Sequence, residues 1–276
     1  MIVDFHVHTV YYKDRTDSLV ELVRNTWGER MDWLVATYSS PEAFLGLMDE
    51  AGIDYAVILA ELAPITSGIA DNEYVAEFCS KSERLIPFAS INPYTCNSPA
   101  KELERLVGEL GFRGLKLYPT YQYFYPNEPM LYPLYAKAQE LRIPISMHIG
   151  SSVFKGSRLK YGDPIFLDDV AVDFPELVIL QCHSGRPFWY QKSFSLARLH
   201  PNIYMEISGL PPKKLPEYFP ELERIAHKVI YGSDWPGVPG LKENIEAVQG
   251  LPLSEGSKRK ILGGNAVRLL DLADKT

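Results

Sequence analysis

Eight short β-rich runs recur along the chain, with helical patterns between most of them. They are "IVDFHVHT" (2–9), "DYAVILAEL" (54–62), "LIPFASINP" (85–93), "GLKLYP" (114–119), "PISMHIG" (144–150), "LVILQCHSG" (177–185), "IYMEISG" (203–209) and "VIYGSDWP" (229–236). Most end in Gly, Pro or Asn, residues that break strands into turns. Helical stretches are expected at 40–52, 98–111, 127–142, 163–175, 215–228 and 254–273. The first two carry Ser at the N-cap, Pro in the first turn and Gly just past the end. Strands alternating with helices imply parallel βαβ units, and eight such units fit an α/β fold of the (β/α)₈ TIM-barrel type. One domain over 1–276 is expected, with 10–39 as a lid or helical insertion after the first strand. An open doubly wound sheet is disfavoured, because no Gly-rich phosphate turn follows that strand.

Side chains alternate between the faces of a strand. In the first strand Val3, Phe5 and Val7 should share one face and Asp4, His6 and His8 the other. In the fifth, Ile145, Met147 and Ile149 oppose Ser146 and His148; in the sixth, Leu180 and Cys182 oppose Gln181 and His183. In the seventh, Met205 and Ile207 oppose Glu206 and Ser208; in the eighth, Val229 and Tyr231 oppose Gly232 and Asp234. Lys116 opposes Leu115 and Leu117 in the fourth. A barrel gathers the C-terminal ends of its strands at one mouth, where active sites of this fold sit. Four histidines, two acids and a lysine would meet there. Such groups are costly to bury unpaired, and a divalent cation bound by imidazole and carboxylate offsets that cost. His200 and His227 fall on helix or loop and are read as structural.

The formal net charge of -7 argues against nucleic acid as the main partner. Cys79, Cys96 and Cys182 match no metal-knuckle spacing and read as reduced thiols of a cytoplasmic protein. No basic leader precedes the first strand, and no apolar run is long enough to span a membrane.

"DFHVHT", "GFRGLKLYP", "ISMHIG", "QCHSG", "EISG", "YGSDWP" and "ILGGNAVRLL", in that order over nearly the whole chain, resemble the amidohydrolase superfamily, in its amidohydrolase 2 branch. That branch contains aminocarboxymuconate-semialdehyde and resorcylate decarboxylases and also lactone and dicarboxylate hydrolases. The resemblance implies that His6, His8, His148 and Asp234 hold a metal, most simply one Zn²⁺, with a second ion in binuclear relatives. It further implies that Asp234 moves the proton of the reacting water and that His183 serves as acid/base or electrophile.

Lys116 and Arg186 are expected to clamp a substrate carboxylate. Carboxylation of Lys116, as in some binuclear relatives, is the weaker reading. Tyr118, with the Tyr- and Pro-rich segment after it, is expected to wall a pocket for a planar molecule, and Glu206 to contact substrate or pair with Lys116 or Arg186. Arg15 is a further candidate anion contact. The first expectation is hydrolysis of a small carboxylate-bearing ester, lactone or amide; the alternative is non-oxidative decarboxylation of an aromatic or enol acid. The shortness of the chain tilts the choice toward hydrolysis. A homodimer is expected as a common state of such barrels, with Trp27 and Trp33 exposed for it.

Overall fold

The structure is a computed structural model describing residues 1–272. Eight parallel strands form its centre: β1 (Val3–His8), β2 (Tyr55–Leu59), β3 (Leu85–Ser90), β4 (Gly114–Leu117), β5 (Ile145–Gly150), β6 (Ile179–Arg186), β7 (Ile203–Glu206) and β8 (Val229–Ile230). Each pairs with the next in sequence. The ring closes where the segment after β8 meets β1: Phe5 N donates to Tyr231 O at 3.1 Å, Asp234 N to His6 O at 2.9 Å and His8 N to Trp235 O at 2.8 Å. The expected α/β TIM barrel is therefore the fold.

Two apolar layers hold it. Val3, Phe5, Val57, Leu59, Ile86, Phe88, Leu180 and Ile230 fill the lower barrel interior. Phe5 meets Phe88 edge-to-face, with ring centroids 5.4 Å apart. Gly114 is opposite, and a Cβ there would collide with the Phe88 ring. Val7, Ile58, Leu115, Leu117, Met147, Met205 and Val229 belong to the layer between sheet and helices.

Strict alternation holds in β4, β5, β7 and β8 but fails in β1 and β6. In β1 the register shifts between Asp4 and Val7: Asp4 pairs with Ala56, and Val7 with Ile58. Three chain steps on one strand oppose two on the other, which is a β-bulge. Phe5 can then point into the barrel floor while His6 and His8 reach the mouth, and Asp4 does not share their face. In β6 the expected faces are reversed. Leu180 is interior, and Gln181 points out, donating from Nε2 to Ser193 O of the flanking helix at 3.0 Å. His183, Ser184 and Gly185 then take positive φ of 63°, 45° and 77°. That left-handed turn, uncommon for a side chain larger than Gly, rotates His183 into the mouth.

The helix Pro41–Ala51 follows its sequence signals. Ser40 Oγ accepts from Ala43 N at 3.3 Å, and Gly52 ends the helix at φ 73°. Pro99–Leu110 ends similarly at Gly111, φ 72°. The stretch 215–228 splits into Leu215–Tyr218 and a 3₁₀ segment Leu222–Lys228. The last one contains a π-helical turn, Lys260–Gly264, where Gly263 lies against the backbone of Met1; its expected end at 273 falls outside the described residues.

Helices Asn72–Cys79, Tyr190–Leu199 and Leu241–Gln249 complete the outer layer. The run 54–62 is broken at Ala60, and Glu61–Ala63 joins Gly68–Ala70 and Asp14–Arg15 in a small antiparallel sheet. The insertion 10–39 forms helices Asp17–Trp27 and Met31–Tyr38. Trp27 is half-buried and donates from Nε1 to Pro236 O at 2.9 Å, so it anchors the insertion to the loop after β8; the expected dimer contact keeps only Trp33 as an exposed ring. All three cysteines are free. Among the described residues no helix is long and apolar enough to cross a membrane.

Candidate metal and active site

The end of β1 supplies two imidazoles and the loop after β8 a carboxylate. His6 Nδ1 donates to Glu206 Oε2 at 2.8 Å, which leaves the Nε2 lone pair free. Glu206 is held in turn by Ser208, whose N and Oγ donate to it at 2.6 and 2.8 Å. His8 Nδ1 faces Glu61 Oε2 at 3.2 Å, without the alignment of a hydrogen bond. The two Nε2 atoms stand 3.2 Å apart and lie 3.5 and 3.6 Å from Asp234 Oδ1. Atoms in a triangle of that size lie about 2 Å from a common centre, the bond length of a first-row divalent ion to nitrogen or oxygen. The donor set therefore fits such an ion. His183 borders it, with Nδ1 3.9 Å from Asp234 Oδ2. His6, His183 and Asp234 also form a compact group of metal-capable donors.

His148 stands one contact further out. Its Nδ1 meets His183 Nε2 at 3.2 Å, and its Nε2 lies 3.3 Å from Ser151 O. His183 Nδ1 donates to Ser208 O at 3.0 Å. Asp234 has φ 70°, a left-handed conformation that turns its carboxylate back over β1.

Burial and charge set the protonation. Burial lowers His6 and His148, with the Lys116 charge adding to it. Burial also lowers His183, with Arg186 adding to it, so these rings are neutral. Burial works against the charged forms of His8 and Asp234 too, but their mutual contact outweighs it. Asp234 and Glu61 push His8 up to about 9, and His8, His6 and Arg186 hold Asp234 down at about 2. Burial pushes Glu206 up to about 7 against the pull of Lys116 and Ser208.

A cavity of about 160 Å³ opens over these groups. Its floor is made by His8, Glu61, His148, His183, Arg186 and Asp234, and Tyr118 and Tyr121 wall one side. Arg186 Nη1 donates to Gly209 O at 2.8 Å and lies 3.8 Å from Asp234 Oδ2. Tyr118 presents its ring alone, because its hydroxyl donates to Ala60 O at 2.9 Å.

The expected Lys116–Arg186 clamp is not formed. Lys116 lies fully buried below the cavity, its Nζ without a hydrogen bond and 5.1 Å from the Tyr118 ring centroid. Lys116 sits a layer lower because it lies inside the short strand β4, whereas Arg186 ends the longer β6. Glu206 also lies below the cavity, oriented to His6 and not to substrate space. Sequence reasoning missed Glu61. It is buried and accepts from Tyr12 Oη at 2.7 Å and from Ser67 Oγ; the nearby His8, aided by these two bonds, keeps it below the usual carboxylate range despite burial. The signal was an acid at the C-terminal end of the second β-rich run, the position occupied by the other site residues.

Comparison with known proteins gives the family. The amidohydrolase family model matches residues 3–272. Gamma-resorcylate decarboxylase of Polaromonas sp. is 26% identical, over 82% of this chain and 86% of its own length. The 2-amino-3-carboxymuconate-6-semialdehyde decarboxylase of Dictyostelium discoideum is 23% identical, over 73% of this chain and 65% of its own length. Among solved structures, an uncharacterized TIM-barrel protein from Bordetella bronchiseptica superposes with a TM-score of 0.81 at 24% identity, over 98% of each chain. The dihydroxybenzoic acid decarboxylase of Polaromonas sp., solved with manganese and 2-nitroresorcinol, does so at 0.73 and 20%, over 98% of this chain and 97% of that one. By the family match over almost its full length, the chain belongs to the amidohydrolase family.

Proposed function

We propose that this protein is a metal-dependent, non-oxidative decarboxylase of an aromatic or enol carboxylic acid. The observation that carries the reading is the cavity: about 160 Å³, with three imidazoles, two carboxylates and a guanidinium on its floor and mostly apolar side chains above. That volume holds roughly one six-membered ring, since an engineered apolar cavity of ~150 Å³ binds benzene. The decarboxylase relatives support the same choice. The sequence-based preference for hydrolysis rested on chain length. It gives way because a resorcylate decarboxylase aligns over 86% of its own length.

His6, His8 and Asp234 would hold the ion, with His148 and His183 beside them. A divalent ion supplies there a Lewis acid that polarises a substrate oxygen. Nitrogen and oxygen donors suit manganese as well as the zinc expected from sequence, and manganese is the ion in the dihydroxybenzoate decarboxylase structure.

Arg186, fixed by Gly209 O, is placed to bind and orient the substrate carboxylate. Asp234, a carboxylate in the resting site, takes the proton of a substrate hydroxyl and returns it to the carbon that loses CO₂. The C–C bond breaks, its electron pair stays with the ring or enol carbon, and that carbon keeps the proton. His183, neutral and close to Asp234, is the second proton carrier. The apolar roof keeps water from the reacting carbon.

The test is CO₂ release from a panel of hydroxybenzoates and enol acids by chelator-treated protein, before and after addition of Mn²⁺ or Zn²⁺. Metal-dependent release supports the reading. Hydrolysis of esters or lactones with no CO₂ from any acid overturns it in favour of a hydrolase.

A further inference from the structure

We propose that the substrate carries a hydrocarbon edge opposite its carboxylate, and that the insertion 17–38 selects for it. This rests on the decarboxylase reading for its chemistry, and on the cavity alone for its shape.

The polar groups of the cavity are unevenly placed. The charged floor comes from the ends of β1, β5 and β6, from Glu61 just past β2 and from the loop after β8. The two insertion helices contribute Leu19, Val20, Val23, Met31, Leu34 and Val35, all aliphatic or thioether. Three nearby hydroxyls donate within the protein: Tyr12 Oη to Glu61 at 2.7 Å, Tyr118 Oη to Ala60 O at 2.9 Å, and Thr9 Oγ1 to Tyr11 O at 3.0 Å. Tyr121 Oη accepts from Ser152 Oγ at 3.0 Å and keeps its own proton to donate, but its ring lies beside the floor, 4.7 Å from that of His148. Arg15 also borders the cavity, but it is exposed and precedes the two helices, in the short strand Asp14–Arg15.

A substrate that turns its carboxylate to Arg186 must turn its far edge to the helices. A hydroxyl set among those helix side chains would lose water and gain no partner from them, whereas a methyl group would be buried favourably. The helices therefore offer no polar recognition. The insertion, anchored through Trp27 Nε1 to Pro236 O at 2.9 Å, sets what the far edge must be.

The test compares 4-methylsalicylate with 4-hydroxysalicylate, isosteric at the far edge, by kcat/KM for CO₂ release in the metal-loaded protein. The corresponding phenols, meta-cresol and resorcinol, are compared by calorimetric binding, which needs no turnover. An apolar pocket discriminates against an added hydroxyl by roughly 100-fold, so the methyl compounds should lead by ~10- to 100-fold in both assays. Val23→Thr, isosteric and polar, should shrink that ratio severalfold without loss of fold by circular dichroism. Turnover with equal or better use of the hydroxyl compounds overturns the inference and leaves the decarboxylase reading standing. Preferential binding of meta-cresol with no turnover of either acid supports the inference and counts against decarboxylation. Failure of both phenols to bind overturns the inference.

Discussion

His6 Nδ1 and Glu206 Oε2 are joined at 2.8 Å inside the barrel, across two hundred positions of sequence. The bond fixes the imidazole tautomer and aims Nε2 at Asp234 and His8. A carboxylate behind a metal-binding histidine typically accounts for 10- to 100-fold in metal affinity. Glu206→Gln should weaken Mn²⁺ binding by ~10- to 100-fold in a calorimetric titration. Unchanged affinity would show that the bond orients nothing the ion uses.

In the proposed reaction Asp234 is the residue on which proton transfer depends. Asp234→Asn removes the carboxylate that accepts and returns the proton, and keeps the shape. We expect kcat to fall by roughly 10²- to 10⁴-fold, the usual contribution of a positioned acid or base, with the fold retained. Full activity in this variant would remove Asp234 from the chemistry.

Gly209 tests the seat of Arg186. It has φ 63°, and a methyl group there would overlap Arg186 Nη1 and lie 2.6 Å from Asp234 Oδ2. Gly209→Ala should therefore raise KM for carboxylate substrates about tenfold, on the order of 1.4 kcal/mol of lost binding. The positive φ adds about 1 kcal/mol of strain to the fold. A lower melting temperature with unchanged KM would separate the backbone effect from the guanidinium.

Lys228 offers a pH test away from the site. Its Nζ donates to Ala197 O at 2.7 Å and to His200 O, and burial lowers it from 10.5 to about 8. Between those values the unfolded chain binds the proton that the folded chain releases, so stability rises with pH through that window. Urea unfolding at pH 7.5, 9 and 10.5 should show wild type gaining on Lys228→Met as pH rises. A constant difference would mean that Lys228 titrates at its ordinary value when folded.

The sequence by itself determined the eight strands, the barrel and most of the residues at its mouth. Alternation is a local property of extended backbone, and the breaks after each run are local too, so Lys116, His148, Glu206 and Asp234 could be assigned to a face without a structure. The structure alone showed how β1 and β6 deliver their histidines. The bulge between Asp4 and Val7 depends on pairing with β2, and the left-handed turn at His183 and Ser184 leaves no mark in a period-two pattern. Partners distant in the chain, such as Glu206 for His6 and Glu61 for His8, follow from strand register around a closed ring, which no local pattern encodes. The roof over the site was decided last: Leu19, Val23 and Leu34 read as ordinary core residues until tertiary packing set them opposite a guanidinium.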